Sequence, residues 1–215
     1  MAYALIGPSI SSTPVGSDAW SAAPNVSVDT GNGSIALHGK TAWVVTGGMP
    51  SHLLESANGA AWHDLGNPCA VEGSQWNLTG AAPVDTSSMY LLCIGDAGAG
   101  SQSKKVLFST DGGVHATATA VDPPRGGDAN GIAAADSKVV AVAARSGASE
   151  VYRSGNAGAT WQTPLQKGDG GVGYFDLGFT TPTQGVVVYG QPGSGQPPQL
   201  LMTHDAGATW SAVRF

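Results

Sequence analysis

One short phrase recurs along this chain, and a chain that repeats itself must fold by repetition. The C-terminal stretch reads Thr203-His204-Asp205-Ala206-Gly207-Ala208-Thr209-Trp210, and residues 154–161 read Ser154-Gly155-Asn156-Ala157-Gly158-Ala159-Thr160-Trp161. A third copy, Ser109-Thr110-Asp111-Gly112-Gly113-Val114-His115-Ala116, carries Ala at the Trp position. A fourth, Glu55 to Trp62, keeps Gly59 and Trp62 but has Ala57 where the carboxylate belongs. A fifth, Thr13 to Trp20, keeps its ends and slips its glycine to Gly16. The copies end at residues 20, 62, 116, 161 and 210, a period of 42–54 residues.

A second signal runs in step with the first. Upstream of each copy lies a short apolar run: Tyr3-Ala4-Leu5-Ile6-Gly7, residues 42–47, residues 90–95, residues 139–143 and residues 186–190. Runs of this length, rich in Val, Ile and aromatics, are strand signals. Apolar residues on both faces predict burial on both faces. A period near 40–50 residues is that of a propeller blade. The last blade is legible in full, with strand A at 174–180, B at 185–190, C at 199–203 and D at 210–215. The other blades place A near 32–38, 75–84 and 129–135, and C near 51–55, 104–109 and 149–153. Composition agrees: 32 glycines, 13 prolines and only 11% charged residues disfavour helix bundles. The 41% hydrophobic content argues against disorder. The expectation is an all-β propeller of about five four-stranded antiparallel blades, at about 1–24, 25–66, 67–121, 122–167 and 168–215. The first blade has room for B, C and D but no A, so the chain reads as a piece of a larger propeller.

The repeated phrase resembles the Asp-box, or bacterial neuraminidase repeat, Ser-x-Asp-x-Gly-x-Thr-Trp. Residues 176–188 are similar to the strand A-to-B stretch of photosystem-assembly-factor-like and sialidase-like propellers. The resemblance implies a propeller but no particular activity, because fold does not fix function. It also implies structural roles for Ser109, Asp111, Gly113, Ser154, Asn156, Gly158, Thr160, Trp161, Thr203, Asp205, Gly207, Thr209, Trp210, Gly59 and Trp62. Asx residues accept backbone hydrogen bonds within turns, glycine supplies positive φ, and the tryptophans bury area between blades.

Catalysis finds little support. A sialidase-like site needs three convergent arginines, and of Arg125, Arg145, Arg153 and Arg214 only the first two lie in loops able to reach a central face. Other glycosidases need paired carboxylates, for which Asp122, Asp128, Asp169 and Asp176 are the candidates, each also readable as turn chemistry. Asp85 and Asp136 recur at A-to-B turns and read as structural. The five histidines show no metal-ligand spacing, and neither metal nor cofactor is expected. Gly95 to Gly100 has the wrong spacing for a dinucleotide loop.

The net charge of −6 disfavours nucleic acid, and no apolar run approaches the length of a membrane span. Cys69 and Cys93 read equally as a disulfide, which suits an oxidising compartment, or as two buried thiols. Together with a composition typical of exported bacterial proteins, this points to an extracytoplasmic, non-catalytic module that binds a protein or glycan. A glycoside hydrolase, or a fragment of one, is the alternative, and an assembly factor for a membrane protein complex is the second. An open blade edge would invite self-association.

Overall fold

The computed structural model describes residues 1–6, 9–23, 26, 33–70, 75–190 and 197–214. Gly7, residues 191–196 of the expected Gly/Pro/Gln loop, Phe215 and the expected boundary at 24–25 lie outside the described residues. The fold is an all-β propeller of five antiparallel blades, and no described residue is helical.

The first blade has three strands, β1 (Ala2–Ile6), β2 (Ser9–Thr13) and β3 (Ser21–Ala22). The second comprises β4 (Ser34–His38), β5 (Thr41–Val45), β6 (Leu53–Ser56) and β7 (His63–Asp64). The third comprises β8 (Asn77–Pro83), β9 (Met89–Gly98), β10 (Ser101–Ser109) and β11 (Thr117–Ala118). The fourth comprises β12 (Asp128–Ala134), β13 (Val140–Arg145), β14 (Ser149–Ser154) and β15 (Gln162–Lys167). The fifth comprises β16 (Tyr174–Phe179), β17 (Gly185–Tyr189), β18 (Gln199–Thr203) and β19 (Ser211–Ala212). Each sheet is a meander in chain order. The repeated phrase in the first blade spans the β2–β3 hairpin, so β1 corresponds to a B strand, and among the described residues this sheet has three strands.

The A strands lie side by side, β4 against β8, β8 against β12 and β12 against β16. This arrangement stacks the blades face to face. Strands β5 and β13 are therefore buried on both faces through almost their whole length, as is the first half of β9. The four hydrophobic cores among the described residues each sit at a blade junction, and two show the packing. Tyr90, Leu92 and Val106 meet Val140 and Val142 between the third and fourth blades. Ala141, Ala143 and Val151 meet Tyr174, Val187 and Leu201 between the fourth and fifth. Strand β17 differs: its burial alternates, with Val187 covered while Val186 and Val188 are partly exposed. The opposite face of the fifth blade, with Val188 paired to Leu200 and Val186 to Met202, is only partly covered.

Two sequence expectations need adjusting. Among the described residues, strand D of the fifth blade is confined to Ser211–Ala212, extended by one bond from the Val213 N–H to the Leu200 carbonyl, rather than starting at Trp210. Strand B of the third blade runs on to Gly98, where Ala99 and Gly100, both at positive φ, turn the chain into β10. That two-residue hairpin accounts for Gly100, while Gly95 lies in β9 against the Trp76 ring. Cys69, which follows β7, and Cys93 of β9 form a disulfide with Cα atoms 5.7 Å apart, closing the choice left by the sequence. We predict that Leu92→Ala, at a fully covered junction, costs about 2–5 kcal/mol of unfolding free energy. Leu200→Ala, on the partly covered face, should cost about 1 kcal/mol. Chemical denaturation measures both, and equal costs would contradict the one-sided burial of the fifth blade.

Candidate ligand-binding cleft

The A strands begin at one end of the central face, and there the sequence breaks its own alternation. Register shifts fall between Leu78 and Gly80 in β8, between Ala129 and Gly131 in β12 and between Phe175 and Gly178 in β16. Each bulge leaves Thr79, Asn130 or the pair Asp176-Leu177 out of the ladder and re-aims those side chains. A cleft of about 610 Å3 opens at the bulges of β8 and β12. Its polar lining includes Thr46, Asn77, Thr79, Asp128, Asn130 and Arg145.

Some of these groups are already engaged. The Asn77 carboxamide oxygen accepts from the Ser51 N–H and hydroxyl, and its amide donates to the Gly48 carbonyl, so Asn77 holds the loop after β5. The Asn130 amide donates to the Tyr174 carbonyl across to the fifth blade at 2.8 Å. The Arg145 guanidinium lies 5.0 Å from the Phe175 ring centroid and, among the described residues, makes no ion pair. It is a cation held on an aromatic face, with hydrogen-bonding capacity to spare.

Of the four carboxylates singled out from sequence, only Asp128 lines the cleft. Asp122 is exposed in the 119–127 linker between β11 and β12. Asp169 accepts from the Ser149 hydroxyl and from the N–H groups of Gly171 and Val172. Its burial favours the neutral acid, but hydrogen bonds from Ser149, Tyr189 and those two N–H groups outweigh this and lower its pKa. Asp176 sits exposed in the β16 bulge at φ 51°, a region that Asx residues tolerate. Of the arginines, Arg145 reaches the cleft. Arg125 is exposed on the linker, and Arg153 donates through Nε to the Ala206 carbonyl of the next blade.

The repeated phrase forms one turn, built three times between strands C and D. Ser109, Ser154 and Thr203 each accept, through the hydroxyl, the N–H of the glycine four residues on, at 2.8–2.9 Å. Asp111, Asn156 and Asp205 each accept the N–H four residues on. The fourth copy is one residue shorter than the sequence alignment placed it. Ser56 serves Gly59 from three residues away, and Asn58 rather than Ala57 accepts a turn N–H, from Ala60. Trp161 packs into the junction core with the third blade and donates to the Val121 carbonyl. The A-to-B turns repeat as well: Asp85 and Asp136 each accept two backbone N–H groups, and Thr181 does the same in the fifth blade.

Sequence reading missed Asn130, Thr79 and a buried Lys104. The first two had a visible signal, since a glycine inside a strand pattern marks a bulge and Gly80 and Gly131 directly follow them. Lys104 had one too: in β10 it shares a face with Val106, and that face is buried.

No family model matches the chain, and no curated protein matches it. Solved structures do. YCF48 from Cyanidioschyzon merolae superposes with a TM-score of 0.53 at 16% identity, covering 96% of this chain and 66% of that one. The GH74 enzyme of Niastella koreensis gives 0.54 at 23% identity, covering 97% of this chain and 29% of that one. The Aleuria aurantia lectin gives 0.57 at 11% identity, covering 96% and 71%. At such identities the likeness is one of fold, and the chain spans less than a third of the GH74 enzyme.

The turn carboxylates give the fold an acid limit. Hydrogen bonds from the Ser87 and Ser88 N–H groups hold Asp85 at about 2, against an ordinary 3.8. Bonds from the His115 N–H and ring do the same for Asp111, as do those from the Thr209 hydroxyl and N–H for Asp205. A depressed carboxylate pKa stabilises the fold above the unfolded value and loses that contribution as pH falls through the folded one. We predict a thermal midpoint that drops between pH 3.8 and about 2. The Asp111→Asn/Asp205→Asn double variant should show a shallower drop, because Asn156 already makes the same turn with an amide. Circular dichroism melts at stepped pH read this, and an unchanged drop would refute it.

Proposed function

We propose that this chain is a non-catalytic, extracytoplasmic binding module that takes a protein or glycan ligand in the cleft at the heads of its A strands. The supporting observation is the composition of that cleft: amide, hydroxyl and guanidinium groups around a single candidate carboxylate. Arg145 is stacked on Phe175 and unpaired among the described residues, which suits it to donate to hydroxyl, carbonyl or carboxylate oxygens of a ligand. Hydrolysis would require Asp128 to find a second carboxylate about 5–10 Å away, and Asp122, Asp169 and Asp176 are not part of the lining. The repeated turns, with their shared hydroxyl–Asx–glycine bonding, support reading them as Asp-boxes whose residues serve the fold.

The Cys69–Cys93 disulfide supports an oxidising compartment, and no helix among the described residues is long and apolar enough to cross a membrane. The Aleuria aurantia lectin was solved in complex with Fucα1-6GlcNAc. It illustrates sugar binding on this fold without transferring its specificity to these residues.

A glycan array run beside a peptide library identifies the ligand class, and a peptide hit would move the reading towards an assembly role. We predict that Arg145→Ala lowers affinity for the ligand found by at least about tenfold, or ~1.4 kcal/mol, by titration calorimetry. Turnover on a fluorogenic glycoside panel that Asp128→Asn abolishes would overturn the non-catalytic reading in favour of a hydrolase.

A further inference from the structure

Lys104 is only 1% exposed. It stands on β10 at the junction of the third and fourth blades, and its ammonium donates to three carbonyl oxygens: Gln102 at 3.2 Å, Pro124 at 3.1 Å and Gly126 at 2.8 Å. The last two belong to the linker that runs from β11 into β12. Main-chain bonds tie the same linker to the β9–β10 hairpin, from the Gln102 N–H to the Arg125 carbonyl and from the Gly127 N–H to the Gly100 carbonyl. The Gln102 side chain then accepts the Ala129 N–H. The seat is close. A Cβ at Gly126 would come within 2.6 Å of the Tyr152 hydroxyl, and one at Gly127, where φ is +64°, within 2.8 Å of the Arg145 nitrogen.

The groups facing Lys104 come from three elements. Strand β14 contributes Glu150 and Tyr152, the head of β12 contributes Asp128, and the linker contributes Arg125. The Tyr152 ring centroid is 5.7 Å from the ammonium, and its hydroxyl donates to Glu150. The other Glu150 oxygen accepts from the Gln166 amide. Lys104 makes no ion pair with these acids among the described residues, so backbone carbonyls are its hydrogen-bond partners.

We propose that Lys104 is a positioning residue for the cleft, clasping the 122–127 linker onto the third and fourth blades so that Asp128 and Asn130 are fixed at the lining, with a hold that depends on pH. This rests on the preceding reading for its use, since only a cleft that binds something needs its lining fixed, but the clasp is testable without ligand. Burial lowers the Lys104 pKa to about 8 from an ordinary 10.5, opposed by the charges of Glu150 and Asp128 and reinforced by Arg125. Opening the linker hydrates the amine and restores its ordinary value. Between those two values the closed form binds fewer protons than the open one, so closure releases a proton and tightens as pH rises through 8. Below that, the ammonium is charged in both forms and its desolvation offsets the carbonyl bonds of the closed form; above it the neutral amine keeps two N–H donors, enough for the Pro124 and Gly126 carbonyls.

Trypsin reads the linker directly, because Arg125 is exposed but cleavable only when the linker opens. The rate of cutting at Arg125 is divided by that of an unstructured peptide of the same sequence at each pH. We expect the normalised rate to fall on the order of tenfold from pH 7 to pH 9. Lys104→Met should give a flat profile lying above the wild-type rate at pH 9. Glu150→Gln removes a charge that favours the ammonium and should move the midpoint to lower pH, a shift that a purely structural lysine would not show. A flat wild-type profile, or a Glu150→Gln profile with an unmoved midpoint, overturns the clasp. A clasp that behaves as expected in a chain that binds nothing on the arrays would leave Lys104 in place and sink the binding reading alone.

Discussion

Everything in this structure follows from the need of each sheet to bury its second face. A strand such as β13 is apolar on both sides, and its own sheet can hide neither. Stacking blade on blade supplies the cover, and burying a Leu or Val side chain there is worth about 1.5–3 kcal/mol. The stacking also brings the A strands side by side, and with them the bulged Thr79 and Asn130 that line the cleft. In the fifth blade burial takes the alternating pattern of a sheet with one covered face.

The cleft is a by-product of the same geometry. Bulges recur in β8, β12 and β16, and those of β8 and β12 take Thr79 and Asn130 out of the ladder and into the cleft lining. The chemistry offered there is hydrogen bonding around one cation seated on an aromatic ring. In the function proposed above that is a repertoire for recognition, and it arises on a framework where Asp64, Asp85, Asp111, Asp136, Asp169 and Asp205 are engaged by turn N–H groups.

The fold was legible because its signals repeat. A Ser or Thr, an Asx two residues on and a glycine two beyond that specify one hairpin, and three good copies fix its meaning; the Asp at 85 and 136 fixes the A-to-B turn likewise. Legibility failed where a feature occurs once or shifts by one residue. Ser56 and Asn58 escaped because Gly59 and Trp62 keep the spacing of the other copies while a one-residue deletion lies between Ser56 and Gly59. Asn130 and Lys104 escaped because their roles depend on what the neighbouring blade places opposite them. Tyr174 offers a carbonyl to the first, and the linker offers two to the second, and neither partner is near in sequence.

The disulfide has a consequence beyond its own loop. Cys69 follows the second blade and Cys93 is in the middle of the third, so among the junctions of this array one is covalent. In a one-dimensional array, stability is a sum of unit terms and nearest-neighbour couplings. A chain whose couplings are all noncovalent can fray at any of them. Here, while the bond is intact, separation of the second and third blades is opposed by a tether, and fraying is directed to the other junctions. In a reducing environment that bias disappears, and the array can divide into a two-blade and a three-blade block, so redox conditions would set where this protein comes apart.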